Sequence, residues 1–440
     1  MHYIYLFLLI IICVFSYKHE RNVYNPVFLF SGVWAIAMFL SGLCLYDLKE
    51  TSSYAYSLAF IGVVFFCLGA MIRNRFKFKS RKIAGINTAN DYDLNFGFLI
   101  AFYTLVVIFT AYLASISISL LMRGGSMDVI RNNYNDVEAG VIVSSNLVFV
   151  IENFIVEAAV FASVALIPIV TTYKKSIKKY ILLIELVVLQ VLFIFVSGAR
   201  SFLIDVALLF GVYIVMNKSL SSRFKRYFNK IPRFLFVLIA VGGIIIVGYM
   251  TILRKGDERP LAYEIYRYIS LAFPLFDTRL HSHDPSTFTH GWTLLHGFVK
   301  TPFFIFRKLT HIPWPAGLTN ASNLISANND YYFVGGGFGG RGGYVNSFVT
   351  AFYYMYMDFG IIGIIVESFM YGYFCQSCYK KVINNPNRRT QAFYLLVAIG
   401  LLLSFVRSFF TAHRYVNAFI ILFFAFVEAK ETLGDNKRRD

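Results

Sequence analysis

Apolar runs long enough to cross a lipid bilayer recur from one end of this chain to the other, and that fact removes most folds. They fall near residues 2–16, 27–46, 54–72, 97–122, 141–171, 181–197, 202–216, 234–252, 359–378, 391–409 and 415–428. A membrane helix needs about 20 apolar residues, and in lipid every backbone group must be satisfied within the structure. Only 15% of the residues are charged, against roughly a quarter in a soluble domain. The fold expected is an all-α polytopic membrane protein of eleven transmembrane helices, within a range of 10–12. No repeat of 20–50 residues and no low-complexity linker divides the chain, so residues 1–440 read as one membrane domain. The first run lacks a basic leader region and an A-x-A-like cleavage site, and is expected to be a membrane helix rather than a removed signal.

Lysine and arginine set the orientation. Of the 41 such residues, 26 fall in one alternate set of connections, including Arg73–Lys82, Lys174–Lys179, Lys218–Arg233, Lys380–Arg389 and the C-terminal tail. Short cytoplasmic loops carry the excess of positive charge. The N-terminus is therefore expected outside and the C-terminus in the cytoplasm. The net charge of +17 then belongs to loops facing anionic headgroups. No soluble basic domain exists to carry it, so a nucleic-acid partner is not expected.

One long polar stretch, 253–346, lands on the extracytoplasmic side by this count. Counted to the next apolar run, the loop spans 253–358. It holds five of the eight histidines, His281, His283, His290, His296 and His311, and the run Gly335-Gly-Gly-Phe-Gly-Gly-Arg-Gly-Gly343. The run lacks the G-K-[ST] ending of a phosphate-binding loop. It reads as a surface loop, or as an anion nest of successive amides with Arg341 inside it. Asn346–Met357 is aromatic-rich and is expected to be a short helix on the outer surface, with Asp358 at the membrane boundary.

Ionisable residues inside apolar runs mark function by default. They are Glu152, Glu157, Glu185, Asp205, Asp358, Glu367 and Arg407. Glu185 can snorkel to the nearby surface. Asp205 invites a pair with Arg200 or another outer arginine, for structure or for substrate. Glu152 and Glu157 are five apart and are not expected on one tight helical face. Arg407 and Arg414 are seven apart, two helical turns, so both can face one groove, with His413 between them.

Several chemistries lack their residues. His281-Ser-His-Asp284 has no further clear metal ligand, and Cys375 and Cys378 have no second pair. Neither a metal nor a cofactor is expected. The five cysteines lie in or beside apolar runs, which gives no disulfide framework. No G-x-S-x-G, Walker or D-x-D signature has supporting context.

Three segments carry a resemblance: Ser197-Gly-Ala-Arg-Ser201, Gly342-Gly-Tyr-Val-Asn-Ser347, and Tyr353-Tyr-Met-Tyr-Met-Asp-Phe-Gly360 followed by Ile361-Ile-Gly363. With the topology, they make the chain resemble the Wzy-type O-antigen polymerases of bacterial inner membranes. The resemblance implies a glycosyltransferase working on undecaprenyl-diphosphate-linked oligosaccharides at the periplasmic face, among membrane lipids, with a chain-length regulator and a flippase as partners. Arg200, Arg254, Arg341, Arg407 and Arg414, with Tyr344 and Asn346, are the residues expected to hold the diphosphate and sugars. Asp358, Glu152 and His413 are the candidates for the base. A ligase would use the same donor and an essential histidine. A lipid-oligosaccharide flippase would need charges spread along several spans.

Overall fold

The computed structural model describes residues 2–75, 92–135, 141–142, 145–198, 201–217, 261–335, 343–345 and 348–428. The chain is an all-α membrane protein. Its apolar segments form α1 (His2–Glu20), α2 (Pro26–Gly42), α3 (Ser53–Arg75), α4 (Phe96–Met122), α6 (Asn146–Ile151) running into α7 (Glu157–Thr171), α8 (Ile177–Ser197), α9 (Ser201–Met216), α15 (Ile361–Asn384), α16 (Arg388–Leu402) and α17 (His413–Phe424). Among the described residues, six helical stretches are long and apolar enough to cross a membrane. The expected span at 234–252 and the residues Arg200, Arg254, Arg341 and Asn346 lie outside the described residues.

Helix ends follow the local sequence. The Asn25 carboxamide accepts the Val27 amide at 2.8 Å, and Pro26 opens α2. Gly198 ends α8 in the left-handed region at φ 64°. The α3–α15 pair runs close because its glycines let the backbones touch. A Cβ on Gly69 would strike the Phe369 carbonyl, and one on Gly372 the Phe66 carbonyl.

The connections sort to two ends. At one, Asn22 Nδ2 donates to Tyr379 at 2.9 Å, Arg388 pairs with Asp93 at 3.0 Å, and Gln391 donates to Asn217 at 3.3 Å. The short strands β1 (Tyr92–Leu94) and β4 (Phe426–Glu428) pair there antiparallel, Tyr92 opposite Glu428. At the other end, the Leu45 amide donates to Tyr266 at 2.8 Å and the Ser52 amide to Asp277 at 3.0 Å.

This second end is a folded cap rather than a plain loop. It contains α10 (Leu261–Ser270), α11 (Ala272–Ser282), α12 (Trp292–Thr310), α13 (Ala316–Ala327) and the β2–β3 ladder (Tyr332–Phe333, Tyr344–Val345). The aromatic segment after it forms α14 (Thr350–Phe359). Its side chains are mostly buried, against α3, α11, α12 and α15, rather than displayed on the surface. Gly360, at φ 62°, turns the chain from α14 into α15.

Candidate functional site

Two helices too short for their task define the site. α16 has 15 residues and α17 has 12, about 22 and 18 Å at the helical rise, against a hydrocarbon layer of about 30 Å. Both meet the end marked by β1 and β4: Arg388 bonds Asp93, and the Ala425 carbonyl accepts the Asn95 amide at 2.9 Å. The link at 403–412 therefore begins about 22 Å from that end, short of a hydrocarbon thickness. Irregular backbone at that depth persists only when the protein satisfies it or water reaches it. Here the Ser404 carbonyl accepts the Ala351 amide at 2.7 Å, and Trp34 Nε1 donates to the Ser404 hydroxyl at 3.0 Å. Gly297 of α12 sits directly against the Phe410 carbonyl.

His296 ties the link to the cap. Its Nδ1 lies 2.7 Å from the Thr411 carbonyl and its Nε2 2.9 Å from Ser322 Oγ. Burial, then repulsion from Lys300, pushes it down to about 4. The ring is therefore neutral at pH 7. The carbonyl can only accept, which places the proton on Nδ1 and makes Nε2 the acceptor of the Ser322 hydroxyl.

Beside the link, the α6–α7 stretch opens into a π-helical turn, Glu152–Val156. Its i→i+5 spacing corrects the expectation for Glu152 and Glu157: the widened turn brings residues five apart onto one face. The Tyr134 hydroxyl, from α5 (Met127–Asn135), bonds Glu152 and lies 2.9 Å from Glu157 Oε1. Asn153 Nδ2 holds the other Glu152 oxygen at 2.7 Å. Arg414 forms an ion pair with Glu157.

More cations gather here. Lys300 lies within electrostatic reach of Arg414 and Glu157; burial and Arg414 lower its pKa, and Glu157 opposes them. His413 hydrogen-bonds the Asn153 backbone. Its Nε2 is buried with no hydrogen-bond partner, so the bond to Asn153 is made by Nδ1. Arg407 neighbours Arg414, Tyr354, Tyr268 and Asp205. Asp205 lies within electrostatic reach of Arg407, and its Oδ1 is buried without a hydrogen bond. Among the described residues, no hydrogen bond or ion pair takes up the Arg407 guanidinium.

Asp358 is placed differently. Its Oδ1 accepts the Gly291 and Thr293 amides, both at 2.9 Å, and the Thr289 hydroxyl; its Oδ2 accepts the Leu294 amide at 2.8 Å. Four donors from the start of α12 meet the carboxylate, which caps that helix from another element, and the Glu367 side chain is a further hydrogen-bond partner. Tyr344 is exposed, and its carbonyl accepts Arg267 Nη2 at 3.3 Å. His281 turns to Asp277, 3.3 Å from its Oδ1, while His283 stacks on Phe288 with ring centroids 5.3 Å apart.

Of the residues expected at the site, the structure gathers Glu152, His413, Arg407 and Arg414 in one region. Tyr134, Lys300 and His296 join them, three residues outside the set the sequence singled out. The His296–Lys300 spacing of four on an amphipathic helix was the available signal for those two. Tyr134 offered none. No family model matches this chain, and no curated protein or solved structure matches it.

Proposed function

We propose that the chain is a membrane glycosyltransferase that polymerises oligosaccharide repeat units carried on undecaprenyl diphosphate, at the periplasmic face of a bacterial inner membrane. One observation carries the reading: Lys300, Arg407, Arg414 and His413, with its unpartnered Nε2, converge with Glu152 and Glu157 beside the irregular 403–412 link. Cations fixed in a low-dielectric site stabilise a leaving diphosphate most as its charge develops. Glu157 orients Arg414, whose remaining N–H groups can grip phosphate oxygens in a planar fork.

The step balances as a displacement. A hydroxyl of the incoming repeat unit attacks the anomeric carbon at the reducing end of the growing chain. The bond from that carbon to the diphosphate oxygen breaks, and the electron pair leaves with the diphosphate. His413 Nε2 takes the hydroxyl proton once the bound diphosphate offsets the positive charge of Lys300 and Arg414 beside it. Both Glu152 oxygens are engaged by Tyr134 and Asn153, so Glu152 serves to hold the π turn. Asp358 serves to hold α12.

The test is deletion followed by gel display of surface polysaccharide. Core capped by one repeat unit is expected. Bare core with lipid-linked polymer would mean a ligase acting on the same donor. Lipid-linked single units retained on the cytoplasmic side would mean a transporter.

A further inference from the structure

One hydroxyl stands between two buried carboxyl groups. The Tyr134 hydroxyl bonds Glu152 Oε1 and lies 2.9 Å from Glu157 Oε1. The π turn is what makes this possible, since an ordinary helix would point residues five apart to different faces. A tyrosine hydroxyl carries a single hydrogen, and an ionised carboxylate can only accept. One of the two contacts therefore needs a second hydrogen, which rides on a carboxyl group.

The surroundings select the carrier. Arg414 makes its ion pair with Glu157, and Lys300 of α12 lies within electrostatic reach of Glu157 as well. The hydrogen-bond partners of Glu152 are neutral: Tyr134, and Asn153 Nδ2 at 2.7 Å. Arg414 reaches Glu152 only through space. Glu152 is buried, and a buried carboxylate held by neutral partners is costly. The extra hydrogen thus sits on Glu152. The order is Glu152 O–H to Tyr134, Tyr134 O–H to Glu157, and Arg414 N–H to Glu157. On its other side Tyr134 meets carbon: the Phe193 ring of α8 packs edge-on, 6.2 Å between centroids.

We infer that Glu152, Tyr134 and Glu157 form a proton relay that hands one proton from Glu152 to Glu157 when an anion settles on Arg414. The resting proton stands on the geometry alone; the anion, a diphosphate, rests on the proposed function. A new negative charge beside Arg414 disfavours a second one on Glu157. The Glu152 proton passes to the Tyr134 oxygen as the Tyr134 proton passes to Glu157. One O–H bond breaks and one forms in each transfer. Tyr134 stays neutral, and one negative charge moves from Glu157 to Glu152. Asn153 Nδ2 and the turned Tyr134 hydroxyl then hold that charge, and the guanidinium faces the anion beside a neutral acid.

The experiment is infrared difference spectroscopy on full-length protein in phosphatidylcholine nanodiscs, with inorganic pyrophosphate as probe. Without pyrophosphate, the carbonyl band of a protonated carboxyl should be lost in Glu152→Gln and kept in Glu157→Gln. Both glutamines keep an oxygen for their neighbours, so both variants should fold. A band that survives both changes, or is lost only in Glu157→Gln, would overturn the inference. Adding pyrophosphate to wild type should replace the Glu152 band by a Glu157 band. Tyr134→Phe should leave the Glu152 band in place and bind pyrophosphate at least about fivefold more weakly, the lower end of ordinary coupling between sites. A loss of packing alone would weaken binding without holding the band. Pyrophosphate bound by wild type with the Glu152 band unmoved would overturn the relay and leave the diphosphate site standing. No binding by wild type would overturn the diphosphate site, and the hand-over with it.

Discussion

Replacing Asp358 separates a structural carboxylate from a catalytic one. In Asp358→Ala, the Gly291, Thr293 and Leu294 amides and the Thr289 hydroxyl all lose their acceptor. Each buried donor left unpaired costs about 1–3 kcal/mol, and losing a helix cap about 1. The Gly291 and Leu294 amides are only part-buried, so water can recover some of this. A net cost of about 3–4 kcal/mol is reasonable. Asp358→Asn keeps one carbonyl oxygen for Gly291, Thr293 and Thr289, but turns an amino group toward the Leu294 amide; about 2 kcal/mol is expected. The readout is hydrogen exchange of peptides covering 289–296, in nanodiscs. At 1.4 kcal/mol per factor of ten, local opening should rise at least about a hundredfold in the alanine variant and about tenfold to thirtyfold in the asparagine variant. Polymerisation should fall with protection, Asn less than Ala. If both variants keep wild-type protection while polymer disappears, Asp358 acts on substrate and the capping account is wrong.

The other predictions concern the tether, the helix contact and the charges. An unfolded histidine takes its proton near 6.5, whereas His296 does so only near 4. Between those values the unfolded chain binds more protons, so the native state weakens as pH falls through this window, by about 3 kcal/mol below pH 4. His296→Gln should lack that part of the slope in melting temperatures measured from pH 7 to 4; an identical slope would refute the tether. Gly69→Ala or Gly372→Ala should each cost about 1–3 kcal/mol or more, because backbone carbonyls cannot swing aside. Gly211→Ala, with open space around it, should not; equal melting of all three would refute the close contact. Polymerisation should continue in chelator, since Lys300, Arg407 and Arg414 supply the positive charge. Loss of activity that added divalent ion restores would refute this.

The apolar runs were readable because a membrane span needs length and composition and little else. Ten of the eleven expected runs contain helix, six of them in stretches long and apolar enough to cross a membrane, and the remaining run lies outside the described residues. The polar stretch was read as a loop because α12 is amphipathic and carries Lys300, Arg307 and Lys308, so no continuous apolar window reveals it. The π turn had no local signature. Spacing rules for an ordinary helix put Glu152 and Glu157 on different faces, and only the widened turn unites them. Asp358 was legible as a misplaced charge but not as a cap, since the amides it binds are more than 60 positions away. Arg407 and Arg414 were legible as charges beside apolar runs, but not through two-turn spacing: Arg407 lies in the irregular 403–412 link and only Arg414 is in a helix.

The direct test of the central claim is the polymerisation rate of purified protein supplied with lipid-linked repeat units, wild type against Arg414→Lys and His413→Gln. Lysine keeps the charge at 414 but lacks the fork that can bind Glu157 and phosphate together, so the rate should drop at least about tenfold, or about 1.4 kcal/mol of transition-state stabilisation. Glutamine at 413 removes the proton acceptor, and a loss of about 10²–10⁴ is expected. Both variants should reach the membrane at wild-type levels and melt within a few degrees of wild type. Full-length polymer made at the wild-type rate by both would show that this cluster only anchors the fold, and that the chemistry lies elsewhere.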